Sequence, residues 1–82
     1  MNTVKVYLFA TLRDYTGKKM IEMEIPVGVT IAGLKTQMVK DYPKLAPVQE
    51  SIMAAINREY ASDEQILPLD AEIAFFPPVS GG

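Results

Sequence analysis

Apolar and polar residues alternate along Val4-Lys5-Val6-Tyr7-Leu8-Phe9-Ala10, the two-residue period of a β-strand. That period puts Val4, Val6 and Leu8 on one face and Lys5, Tyr7 and Phe9 on the other. Thr11-Leu12-Arg13-Asp14 has the Thr-x-x-acid spacing of a helix start, with Thr11 as the cap. Gly17 stands where a C-terminal cap belongs, so one helical turn is predicted over residues 12–16. Alternation resumes from Lys18 to Ile25, with Ile21, Met23 and Ile25 inside and Glu22 and Glu24 outside, until Pro26 ends the strand. The period then changes. Thr30 suits an N-cap, and Ile31, Leu34 and Met38 follow at i, i+3 and i+7, one apolar stripe of a helix over residues 31–41. Gly33 weakens that helix by up to ~1 kcal/mol relative to Ala, so packing has to hold it. Tyr42-Pro43 stops it.

Residues 44–51 read as a loop with a short helical turn. Ile52 to Ile56 is a third strand, Asn57-Arg58 suits a turn, and Glu59-Tyr60-Ala61 makes a short strand after it. Ser62-Asp63-Glu64 and Leu67-Pro68-Leu69-Asp70 are bends, and Ala71 to Phe76 is the last strand. One amphipathic helix against a mixed sheet gives an α+β layer, an order that the β-grasp (ubiquitin-like) arrangement satisfies. If the helix covers Val4, Val6 and Leu8, the opposite sheet face should be polar. It is not wholly so. Phe9 falls there, and the last strand turns Ile73 and Phe75 inward but Ala74 and Phe76 outward. With Tyr60, these residues compose a candidate exposed aromatic patch of Phe9, Tyr60 and Phe76, the kind of surface that marks interaction sites.

Composition narrows the chemistry. Among 82 residues there is no Cys and no His, which removes disulfides, thiolate chemistry, zinc held by either ligand and the commonest general base near neutral pH. A formal charge of −2 argues against nucleic acid as a partner. No apolar run is long enough for a membrane span and no basic-then-apolar leader opens the sequence, so the expectation is a cytoplasmic protein without a membrane partner. Such a chain is poorly supplied to be a catalyst by itself.

Its reactive candidate is its own end. After Phe76 come Pro77-Pro78-Val79-Ser80-Gly81-Gly82. The prolines cannot join a ladder and favour an extended path, giving a body of residues 1–76 and a tail of 77–82 that reaches about 20 Å. Gly81 and Gly82 lack a Cβ, so they enter a channel too narrow for other residues. An unhindered carboxylate on a stalk is built to be acted on inside another protein.

Ala74 to Gly82 closely resembles the C-terminus of the small, ubiquitin-like sulfur-carrier subunit of molybdopterin synthase. Val6-Tyr7-Leu8-Phe9-Ala10 with Arg13 resembles that family's first strand region, and Ala54-Ala55-Ile56-Asn57 its third strand. The resemblance implies a β-grasp fold and a sulfur carrier for molybdenum cofactor biosynthesis. It implies that an E1-like adenylating enzyme, using ATP and magnesium, activates the Gly82 carboxylate. A sulfur donor protein then makes the thiocarboxylate, and the large catalytic synthase subunit receives the tail. No cofactor is expected on this chain itself. Gly82 is the carrier residue and Gly81 gives clearance. Phe9, Arg13, Tyr60, Phe76, Pro77, Pro78, Val79 and Ser80 are the implied partner contacts. The same activated carboxyl would serve a protein modifier joined to target lysines, and the diglycine permits a carrier for thiamine or another thio-product, although the Phe-Phe-Pro-Pro approach resembles the molybdopterin family more. An interaction domain with an inert tail is the remaining reading.

Overall fold

The computed structural model describes residues 1–78. Its elements follow the predicted order: β1 (Asn2–Leu8), α1 (Thr11–Thr16), β2 (Met20–Ile25), α2 (Ile31–Asp41), a 3-10 helix (Pro43–Ser51), β3 (Met53–Ile56), β4 (Glu59–Ala61) and β5 (Glu72–Phe76). The five strands form one mixed sheet in the order β2-β1-β5-β3-β4, with β5 parallel to β1 and the other pairs antiparallel. The last strand in sequence is thus the middle strand in space. It registers Val6 with Ile73 and Leu8 with Phe75 on one side, and Ile56 with Ile73 and Ala54 with Phe75 on the other.

These pairs all lie on the helix-facing side. Val4, Val6, Ile73 and Phe75 are wholly buried, in one core with Ile31, Leu34 and Met38 of α2 and Leu45 of the 3-10 helix. The predicted stripe of α2 is therefore its core face. Thr30 caps α2 as expected, its hydroxyl accepting from the Gly33 amide at 3.2 Å. Gly17 closes α1 with a left-handed φ of 72°.

Three local expectations are corrected. Thr11 is the first helical residue of α1, not its cap; Ala10 holds the cap position with no side-chain hydrogen bond. A tight turn explains the shift, since Leu12 N donates to Phe9 O at 3.1 Å and fixes Ala10 at φ 52°. The first strand stops at Leu8 instead of running to Ala10 for the same reason. Residues 43–51 are not mainly loop but a nine-residue 3-10 helix, opened by Pro43 and continuing through Pro47.

Candidate functional site

The unbound side of the sheet is divided. At one end the register sets Thr3 beside Glu24 and Lys5 beside Glu22 and Glu72, a charged half. At the other, Met20, Tyr7, Ala74, Ala55 and Tyr60 form a row across all five strands, each paired in register with the next. Above this row, on the side where β5 ends, sit Phe9 and Phe76.

Here the structure brings the three predicted aromatic residues together. Phe9 and Phe76 stack with ring centroids 4.9 Å apart and planes 15° from parallel. Tyr60 meets Phe76 at 6.4 Å with a 55° tilt. Offset and tilted pairs are the favoured geometries of rings with a quadrupole. Phe9 remains 44% exposed and Tyr60 76%, so the cluster presents apolar surface to solvent. Ala55 shows how closely the patch is built. It faces away from α2, yet it is only 6% exposed. It lines a shallow hollow of about 350 Å³ with Phe9, Arg58, Tyr60, Ala74 and Phe76. Sequence parity places Ala74 on this face, whereas Ala55 is missed because a small side chain in an apolar run gives no signal; both matter because they make the floor of the hollow.

Arg13 is exposed on α1, one turn beyond Ala10, and is not brought into the ring cluster. Pro77 is half-buried and Pro78 exposed. Val79, Ser80, Gly81 and Gly82 lie outside the described residues. Two further features were not foreseen. Arg58 reaches the hollow from the β3–β4 connection. Lys35, on α2, is buried, donating to Ile52 O at 2.6 Å and to Asp63 Oδ1 at 2.8 Å. Among the described residues, Lys35–Asp63 is the single ion pair, and no group of three or more acidic residues could hold a metal ion. No helix among the described residues is long and apolar enough to cross a membrane.

A mixed sheet with a central C-terminal strand, one long helix on its inner face and an aromatic surface at its outer edge defines a ubiquitin-like β-grasp protein. The chain belongs to the ThiS family, which matches residues 6–82. It is 35% identical over 79 residues to the molybdopterin synthase sulfur carrier subunit of Arabidopsis thaliana, covering 96% of this chain and 82% of that protein. The protein of the same name from Dictyostelium discoideum is 33% identical over 84 residues, covering 99% of this chain and 98% of the relative. In fold it matches the small archaeal modifier protein 1 from Methanosarcina acetivorans with a TM-score of 0.81 and 29% identity, over 100% of this chain and 98% of that one.

Proposed function

We propose that this chain carries sulfur for molybdopterin synthesis, as the small partner of a large catalytic subunit. The observation that carries the reading is positional. The Phe9–Phe76 stack sits at the last residue of the central strand, where Pro77 and Pro78 begin the path to Gly82. A surface that docks a partner there delivers the tail to a fixed place. The relatives named as molybdopterin synthase sulfur carrier subunits support the choice of pathway.

The chemistry belongs to the Gly82 carboxylate. Its oxygen attacks the α-phosphorus of ATP in an adenylating partner, and pyrophosphate leaves. A persulfide on a donor protein then attacks the acyl carbon and the bond to AMP breaks, leaving an acyl disulfide; a second partner thiol attacks the donor's sulfur, forms a disulfide with it and so releases the thiocarboxylate. Adenylation is needed because a carboxylate has no leaving group of its own. In the large subunit, the sulfur attacks a carbon of the pterin precursor and displaces an oxygen substituent there; hydrolysis of the resulting thioester leaves the sulfur on the pterin and returns the carboxylate. The β-grasp body supplies no acid or base to these steps; it positions the tail. This removes any need for Cys or His on the carrier.

Intact mass of the protein isolated from cells tests the reading. The expected result is a species in which one terminal oxygen is replaced by sulfur, and deletion of Gly82 abolishes sulfur transfer without loss of fold. Transfer by the shortened chain refutes the mechanism. The archaeal modifier of the same fold supports a second use of the same acyl-adenylate, attack by a lysine amine of a target protein. Isopeptide-linked adducts in cells would establish it; a population of free chain and synthase complex alone removes it.

A further inference from the structure

The β3–β4 connection has two residues, Asn57 and Arg58, with φ of 49° and 74°. Two consecutive positive φ values are the signature of the type I′ hairpin turn, whose preferred pair is Asn-Gly. Asn57 satisfies its half. Its side chain accepts from Glu72 N at 3.0 Å and its own amide donates to Glu72 O at 2.8 Å, tying the turn to the start of β5. Arg58 has no such return. An L side chain with a long stem is disfavoured at this φ, and glycine would make the same turn with less strain. The fold alone therefore gives no reason for an arginine.

The surroundings supply one. The Arg58 side chain lines the hollow floored by Ala55 and Ala74 and walled by Phe9, Tyr60 and Phe76. Among the described residues its guanidinium donates no hydrogen bond and forms no ion pair. That holds although Glu59 is its chain neighbour and Glu72 lines the adjoining hollow with it. Among the described residues, four other than glycine have positive φ: Ala10, Asn57, Arg58 and Asp70. Asn and Asp tolerate that region. The two that do not, Ala10 and Arg58, both border the aromatic face, Ala10 directly after Phe9. Strained backbone tends to persist where function selects it.

We propose that Arg58 is a docking residue whose partner is an acidic side chain on the large subunit, set within the apolar surface that covers Phe9, Tyr60 and Phe76. The inference rests on the docking role given to this face above. A guanidinium fork presents two parallel donors to a carboxylate, and apolar walls strip water from the pair once the surfaces close. The aromatic rings then provide adhesion, and the arginine provides register and selection against partners lacking the carboxylate.

The experiment compares the full chain with Arg58→Gly and Arg58→Lys. Thermal melting is measured on each free protein, and affinity for the purified large subunit is measured at low and high salt. The glycine variant should melt higher by about 4 °C, because turn strain is relieved. It should bind roughly tenfold more weakly at low salt, with a shallower dependence on salt. Lysine keeps the charge without the fork, so its affinity should fall between the two while its salt dependence stays near that of the native chain. A purely structural arginine would not move the salt dependence. If the native chain binds and Arg58→Gly binds equally well with the same salt dependence, the proposal is overturned and the docking face stands. If the native chain does not bind the large subunit, both fall together.

Discussion

Removing a half-exposed aspartate from a surface loop ordinarily changes stability by less than about 0.5 kcal/mol. Asp63→Ala should behave otherwise here. The Asp63 side chain is 51% exposed, but its partner Lys35 is 5% exposed. Without the carboxylate, the buried ammonium keeps only the Ile52 carbonyl at 2.6 Å. Breaking a buried pair from one side costs about 3–5 kcal/mol, because the remaining charge is stranded. The exposure of Asp63 and the surviving carbonyl bond place this case near the bottom of that range, about 3 kcal/mol. Lys35→Met should cost less. It retains the apolar stem, leaves Asp63 free to face water, and strands one carbonyl, a loss of about 1–2 kcal/mol. The decisive quantity is the double variant. Once Lys35 is Met there is no charge to strand, so Lys35→Met/Asp63→Ala should be about as stable as Lys35→Met alone and more stable than Asp63→Ala. Urea unfolding followed by far-UV circular dichroism reads all four proteins, since the chain has no Trp. At about 4–8 °C per kcal/mol for a domain this small, Asp63→Ala should also melt at least ~12 °C lower. A cost below 0.5 kcal/mol for Asp63→Ala, or simple additivity in the double variant, would refute the reasoning.

Neighbouring phenylalanines should separate fold from docking. Phe75→Ala removes a wholly buried ring from the centre of the core and should cost about 3–5 kcal/mol, seen as collapse of the urea midpoint. Phe76→Arg should leave the midpoint within about 1 kcal/mol but weaken binding to the large subunit at least tenfold, measured by calorimetry; an unchanged Kd would take the ring cluster out of the interface. Ala10→Gly relieves φ 52° and should stabilise the free protein by roughly 0.5–1 kcal/mol; a lower melting temperature would show that Ala10 is not strained.

Much of this architecture was legible because burial here follows simple periods. Val4, Val6 and Leu8, then Ile31, Leu34 and Met38, announce a strand and a helix sharing a core, and those six residues are all buried. The aromatic patch came from the same parity, read for the face that should have been polar. What was missed depends on partners far along the chain. Lys35 follows Leu34 and reads as the polar flank of α2, yet it is covered where the segment after β4 closes over the start of the helix. There Ala32 N donates to Asp63 O and Ile31 N to Gln65 O, both at 2.9 Å. No local pattern states that contact. The Thr11 cap fails for a related reason: a Thr-x-x-acid spacing permits a helix start without compelling one, and the turn at Phe9–Ala10 fixes where the helix begins.

The arrangement of β5 fixes where Pro77 leaves the sheet. Ile73 and Phe75 are held by neighbours on both sides, with β1 and β3 pairing along the strand, while Ala74 and Phe76 look out to the opposite face. One five-residue strand thus anchors the core and displays the ring cluster, with no slack between the two roles. A register slip by one residue would bury Phe76 and expose Phe75, exchanging both functions at once, so the pairing that stabilises the fold also fixes which face Phe76 presents. Pro77 follows at once and removes the next ladder donor directly after β5. It follows that weakening the β5 pairings from the core side should harm docking in proportion to stability, whereas changes on the outer face should harm docking alone. Affinity and urea midpoint measured together across Ile73→Val, Phe75→Leu, Ala74→Ser and Phe76→Leu would show two separate trends if this is right, and a single common trend if the face and the core are not independent.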